Sequence, residues 1–330
     1  MDPISRSFHA MNTSMRILLY PRDERERDDG EQALADAEGV IRAIEARFSR
    51  FRESSELCRL NRSSGSWFSV SPDLAEVLEL ARVLHHETAG IFDPVILDDL
   101  ERAGYRHSFE TIGKTPIAAR LATRRPRRRF ADVKFQDGDR VWLPPTTRLD
   151  LGGIVKGWAA DRLVRDLARR GPVLADLGGD IAVSGSPPDS TGWSIGVEAP
   201  DDDAQLLAVL NVRGGGVATS GTNRRHWFRG DRPMHHVIDP RCGEPAETDL
   251  VQVVALTTSA ARADVWAKAA LILGTAGCRQ LLAERPDLDF LLVPRVGTPS
   301  ATPGILTCIS SIVSGEARDH QSPVTQSAGC

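Results

Sequence analysis

The sequence predicts an α+β fold built of mostly antiparallel sheets packed with helices. From Val141 onward, short β-prone runs are separated by glycine pairs and turns. Most links between those runs are shorter than the roughly dozen residues that a helical crossover between parallel strands requires. Amphipathic helices stand before these runs, and two or three more stand among them.

The first element expected is a strand at Ser14 to Tyr20, followed by a charged turn from Arg22 to Gly30. Apolar residues at helical spacing (Leu34, Ala37, Ile41, Ile44, Phe48) predict a long amphipathic helix from Glu31 to Phe51. The same pattern recurs from Asp73 to His86, with Ser71 as its N-cap. Residues 104–131 are basic and irregular and read as an insertion or loose loop. The arginines at 124, 125, 127, 128 and 129 read as a solvated loop, or as a grip on an acidic partner or a phosphate. Strands are expected at Val173–Leu177, Ile181–Val183, Trp193–Val197, Leu206–Val212, Val251–Leu256 and Phe290–Val293. Helices are expected at Val155–Arg169 and Ser259–Leu273, with a third near Ala276–Ala283. After about Ser314 the chain is polar and aperiodic. The expected organisation is therefore one domain over residues 1–313 and a disordered tail over 314–330, with no internal repeat.

The 330 residues are ample for a sizeable core, and 41% hydrophobic with 26% charged residues suits a soluble globular chain. A net charge of −4 argues against nucleic acid as a partner. Five scattered cysteines with no CxxC pair argue against a disulfide framework or a zinc site. Met1 to Tyr20 lacks the apolar core of a secretory signal, and no run approaches the roughly 20 apolar residues of a membrane span. The expectation is a cytoplasmic protein without membrane insertion.

Several segments could carry chemistry. Asp150-Leu151-Gly152-Gly153-Ile154-Val155-Lys156-Gly157 follows a strand-like run and opens a helix. Paired glycines let a backbone approach a ligand closely, the helix N-terminus favours negative charge, and Lys156 adds a cation for a phosphate or carboxylate. A tight turn with a surface lysine would look the same. Asp176-Leu177-Gly178-Gly179-Asp180 reads first as a hairpin turn, with Gly178 and Gly179 small enough to let two lobes pack. Gly214 to Gly221, with Thr219 and Ser220, is either a cradle for a phosphate or flavin edge or a flexible connector. His236 can act as a base near neutrality, or be a histidine satisfied by the backbone; on an extended run it shares a face with Ile238. Asp264 and Lys268 share a helix face, where the carboxylate could ligate Mg²⁺ or simply pair with the lysine. Asp93, in Gly90-Ile91-Phe92-Asp93-Pro94, could bind a ligand or cap a turn.

The order of these segments is more telling than any one of them. The series Met11-Asn12-Thr13, Phe48-Ser49-Arg50-Phe51, Ser55-Glu56-Leu57 with Asn61, Gly90 to Pro94, Asp150 to Gly157, Gly178-Gly179, Ala218-Thr219-Ser220-Gly221, His236 to Pro240 with Gly243 and Pro245, and Ala263-Asp264 resembles the FAD:protein FMN transferases. These form the ApbE family, once described as thiamine-biosynthesis lipoproteins. The resemblance runs from about Met11 to about Val293 and implies an ApbE-like fold with an FAD cleft between two lobes.

It also implies roles. Met11, Phe51, Ile91, Phe92, Asp93, Asp150, Lys156 and Ile238 fall where members contact FAD, with Phe51 stacking on the isoalloxazine. Thr219 and Ser220 lie in the matching hydroxyl segment. Gly153, by its carbonyl, and Asp264, by its side chain, match ligands of a magnesium ion, and His236 matches the proposed base. The partner implied is a target flavoprotein with a threonine or serine acceptor. Where members with the best-defined metal site carry threonine, this chain has Lys268, which cannot ligate a cation. The metal site is then weaker here, or the ammonium neutralises part of the phosphate charge. Pyrophosphatase action on FAD and plain FAD binding are the competing readings.

Overall fold

Strands at the centre of the molecule are apolar at nearly every position because both of their faces are covered. In β6 (Val173–Asp176), Val173 and Ala175 join one core while Leu174 joins another. In β7 (Asp180–Ser184), Ala182 points to the first core and Ile181 and Val183 to the second. The two-residue alternation of a pleated strand thus sorts a continuous apolar run into two layers.

The computed structural model describes residues 2–106, 128–202, 204–223, 225–229, 232–312 and 324–325. Its main sheet runs β1 (Ile4–Ala10), β2 (Thr13–Leu19), β6, β7, β10 (Gly214–Gly221), β15 (Leu250–Thr257), β16 (Asp289–Pro294), β17 (Ser300–Ala301), and each neighbouring pair is antiparallel. One face carries α1 (Arg27–Phe48), α5 (Val155–Leu167) and α6 (Ala260–Glu284). The other face packs on a four-stranded sheet in the order β18 (Ile309–Ile312), β9 (Leu206–Val212), β8 (Trp193–Glu198), β19 (Val324–Thr325). A flanking lobe holds α2 (Glu56–Arg62), α3 (Pro72–Glu87), α4 (Leu97–Ala103) and a small sheet of β3 (Trp67–Ser69), β4 (Lys134–Gln136) and β5 (Arg140–Trp142). Two ribbons, β11 (His226–Arg229) with β12 (Arg232–His235) and β13 (Ile238–Asp239) with β14 (Glu244–Pro245), and the short helix α7 (Pro303–Cys308) complete it. The fold is thus α+β with mostly antiparallel sheets, as expected.

Differences from the sequence reading have local causes. An edge strand, β1, precedes the expected first strand. The charged turn at 22–30 is mostly helix: Asp23 accepts from the amides of Arg25 and Glu26 and starts a short turn that leads into α1 at Arg27. The run Gly214–Gly221 is not a connector but a central strand between β7 and β15. The expected helices at 259–273 and 276–283 abut, interrupted at Gly274, whose φ of 68° takes the chain out of helical geometry. Of the basic loop, residues 107–127 lie outside the described residues. Of the tail, only Val324–Thr325 is described, as a strand parallel to β8. Among the described residues no helix is long and apolar enough to cross a membrane.

Candidate active site

A cavity of about 460 Å³ opens between the flanking lobe and the main sheet. Every residue given a catalytic, cofactor-binding or metal-binding role from the sequence lines it: Met11, Phe51, Ile91, Phe92, Asp93, Asp150, Gly153, Lys156, Thr219, Ser220, His236, Ile238, Asp264 and Lys268.

One end is aromatic. Met11 and Asn12 form the two-residue turn between β1 and β2, with φ of 49° and 61°. Such a turn needs positive φ at both positions, which asparagine tolerates. The Met11 amide donates to Glu45 of α1 at 2.9 Å, tying the turn to the helix. α1 ends at Phe48, and the extended backbone of Ser49 carries the chain out to the rim. There Phe51 is 45% exposed, open to a flat ligand.

The near wall comes from the flanking lobe. Asn61 completes the hydrogen bonding of Leu149, donating to its carbonyl at 2.9 Å and accepting from its amide at 2.8 Å. The next residue, Asp150, accepts from the Gly152 amide at 2.8 Å and pairs with the Arg50 guanidinium at 2.9 Å. Asp93 accepts from the amides of Val95 (2.8 Å) and Phe130 (3.2 Å), and burial raises its pKa. Its carboxylate therefore ties the loop beneath the cavity to its surroundings. Ile91 and Phe92 line the wall beside it.

The far end is charged. α5 starts after the Gly152-Gly153 turn, and Lys156 in its first turn pairs with Asp180 at the start of β7. α6 begins at Ser259, whose hydroxyl accepts from the Arg262 amide at 3.3 Å. Asp161 of α5 anchors the same helix start by accepting from the amides of Ala260 (2.7 Å) and Ala261 (3.0 Å). That helix presents Asp264 and, one turn on, Lys268, whose ammonium donates to Asp264 Oδ1 at 2.8 Å. Asp264 Oδ2 is buried with no partner. A methyl built on Gly153 would lie 2.9 Å from the Lys268 nitrogen, so the glycine turn and the lysine touch. Burial and the neighbouring Asp264 carboxylate raise the pKa of Asp180 to about 6 against the pull of Lys156 and Lys268. Burial raises that of Asp176, just behind, to about 7.

β10 and the segment after β12 also line the cavity. β10 supplies Thr219 and Ser220 from the middle of the main sheet. His236 follows β12, and its backbone amide donates to the Arg225 carbonyl at 3.3 Å. Its Nδ1 is buried and unpartnered. Desolvation, with the cations Arg225 and Lys268, holds its pKa well below the usual 6.5, so the imidazole is neutral at pH 7.

Sequence reasoning passed over Asp180, Tyr105, Arg225 and the side chain of Arg50, all of which line the cavity. Asp180 had a signal, a carboxylate beside a glycine pair. Arg50 stood inside a quoted run, and Tyr105 gave none, since it opens the irregular stretch.

Among the described residues no three His, Cys, Asp or Glu side chains cluster as a metal cage. Magnesium, however, is usually held by one or two carboxylates together with phosphates and waters. The orphaned, buried Asp264 Oδ2 fits that limited role.

Comparison with known proteins finds relatives over most of the chain. A family model described as the ApbE family matches residues 11–292. An FAD:protein FMN transferase of Klebsiella pneumoniae (strain 342) is 31% identical over 294 residues, covering 86% of this chain and 87% of that protein. One from Treponema pallidum (strain Nichols) is 29% identical over 308 residues, covering 88% and 84%. The crystal structure of the ApbE protein of Thermotoga maritima matches with a TM-score of 0.79 at 25% identity, covering 94% of this chain and all of that one.

Proposed function

The chain belongs to the ApbE family, and on that premise we propose that it moves FMN from FAD onto a threonine or serine hydroxyl of a target flavoprotein, uses magnesium, and releases AMP. The observation that carries the reading is one cavity with an exposed aromatic ring at one end and, at the other, a buried carboxylate with a free oxygen beside two lysines.

In this reaction the acceptor oxygen attacks the phosphorus on the FMN side of the diphosphate. The bond from that phosphorus to the bridging oxygen breaks, AMP leaves with the bridging oxygen, and FMN stays attached through a phosphoester. Phosphoryl transfer depends on in-line positioning and on neutralising charge at the phosphoryl oxygens. Phe51 holds the isoalloxazine, with Met11, Ile91, Phe92 and Ile238 as its apolar surroundings. Asp150 and Asp93 hold the loops around it. Lys156 and Lys268 face the diphosphate oxygens, and Thr219 and Ser220 offer hydroxyl donors from β10. His236, neutral at pH 7, takes the proton of the attacking hydroxyl. Asp264 and the Gly153 carbonyl are the groups that would hold magnesium, which as a Lewis acid would draw charge from the phosphates. The scattered cysteines, with no disulfide among the described residues, suit a cytoplasmic setting. We assign the whole activity to one domain over residues 1–313.

The Lys268–Asp264 pair supports a second reading, in which a fixed ammonium stands where the cation would bind and the protein only stores FAD. Incubation with FAD, magnesium and a candidate acceptor, followed by intact mass and AMP assay, separates the outcomes. Transfer adds one FMN to the acceptor for each AMP formed. AMP without added mass means hydrolysis, and neither product means storage.

A further inference from the structure

Arg50 is a buried cation that the proposed chemistry leaves unused. Its side chain is only 7% exposed, yet it lies in the cavity wall. Four contacts fix it in place. Nε forms an ion pair with Asp150 Oδ2 at 2.9 Å, and Nη1 donates to the Tyr105 carbonyl at 2.9 Å. Its guanidinium carbon lies 4.3 Å from the centre of the Phe51 ring and 4.4 Å from that of Tyr105. These rings are 6.1 Å apart and inclined at 52°, so the guanidinium sits in the opening of a V. The remaining nitrogen, Nη2, is buried and has no partner.

A buried donor left unpaired costs roughly 1–3 kcal/mol, and more when it is charged. An arginine held rigidly on three sides with its last nitrogen unpaired is preorganised for a planar acceptor. The acceptor must lie at the aromatic end, because Arg50 is packed against Phe51. Its charge is already balanced by Asp150, so a neutral carbonyl suffices. The diphosphate end has its own cations, Lys156 and Lys268.

We propose that Arg50 is a positioning residue for the flavin ring: Nη2 donates to a carbonyl oxygen of the isoalloxazine while the guanidinium, over one face of Phe51, steadies that ring beside the flavin. This assignment rests on the flavin reading of the cavity and adds to it a hydrogen bond that sets the ring's orientation. Stacking alone lets a flat ligand slide and rotate in its plane, whereas one directional donor fixes it, and with it the distance from the ring to the reacting phosphorus.

The test compares wild type with Arg50→Lys and Phe51→Leu, using riboflavin and ADP as separate probes of the two ends of the site. Arg50→Lys keeps the charge opposite Asp150 but cannot fill the fork. We expect it to weaken riboflavin binding at least tenfold, to alter the visible absorption band of bound flavin, and to leave ADP binding within twofold. Phe51→Leu, which keeps the donor, should weaken riboflavin binding but retain the dependence of the band on Arg50. For FAD, the KM should rise in Arg50→Lys more than kcat falls. Equal riboflavin affinity in wild type and Arg50→Lys overturns the assignment. So does a matching loss of ADP binding, which would make Arg50 a phosphate contact or a structural support. A wild-type protein that binds ADP but no riboflavin overturns the flavin reading itself, and the role of Arg50 with it.

Discussion

Gly157→Ala adds one methyl group where the first turn of α5 crosses the start of α6. That methyl would lie 2.6 Å from the Ala260 carbonyl oxygen and from the amide nitrogen and Cα of Ala261. Ordinary contact begins at 3.4 Å, so the two helices must separate by about 0.8 Å, and backbone atoms cannot swing aside as a side chain would. Overpacking of this kind costs about 1–3 kcal/mol. Alanine's better helix propensity offsets about 1 kcal/mol, leaving a small net loss of stability. The effect on chemistry is larger. α5 carries Lys156 and α6 carries Asp264 and Lys268, so the displacement acts across the charged end of the site. A shift near 1 Å in a positioned catalytic group costs on the order of 100-fold in rate. Calorimetry should show melting lowered by only a few degrees, while AMP release from FAD in the presence of acceptor falls by roughly 100-fold. Activity within twofold of wild type would refute the claim that the α5–α6 contact sets the geometry of the phosphate end.

Asp161→Ala removes the carboxylate that accepts from the Ala260 and Ala261 amides; a loss of about 1–3 kcal/mol in denaturant unfolding is expected. Asp176 is protonated in the folded protein up to about pH 7 because of its burial, against an ordinary value of 3.8. Stability therefore falls as pH rises between those values and is flat above, so Asp176→Asn should raise the melting temperature more at pH 8 than at pH 4, measured in chelator. His236→Ala should still bind FAD, with transfer slowed by roughly 10²–10⁴. Because the pKa of His236 is held well below 6.5, the acid limb of the wild-type rate profile should lie below that value. The same shift makes folding less favourable as pH drops through 6.5, where the unfolded chain gains a proton that the folded one excludes.

β6, β7, β8, β9, β15 and β16 were legible because each is a short run rich in buried apolar residues, and β9 was bounded to the residue. β1 was not, because it is an edge strand whose buried ends, Ile4 and Ala10, flank the mixed run Ser5-Arg6-Ser7-Phe8-His9. The start of α1 was missed because its first turn is charged and contains Gly30, a residue that in fact packs under Ile4, where a methyl would meet that side chain at 2.6 Å. The glycines of β10 read as a ligand cradle or a connector, and not as a strand. A methyl at Gly216 would fall 2.1 Å from the Ala260 amide, so that glycine is there to let α6 rest on the strand. Gly178 lies in the turn between β6 and β7, as the hairpin reading has it, and a methyl there would collide with Thr13 of the neighbouring β2 at 2.3 Å, a contact within one sheet rather than between two lobes. In the site, residues that contribute through their own segment could be found. Arg50 with Tyr105, and Asp180 with Asp264, depend on contacts between segments far apart in sequence, and no local pattern announces them.

The most direct test of the account is a structure of the protein with FAD and magnesium. The isoalloxazine should lie on Phe51 and the diphosphate between the Gly152-Gly153 turn and Asp264, within reach of Lys156 and Lys268. A diphosphate bound at the aromatic end, or an adenine ring on Phe51, would contradict it.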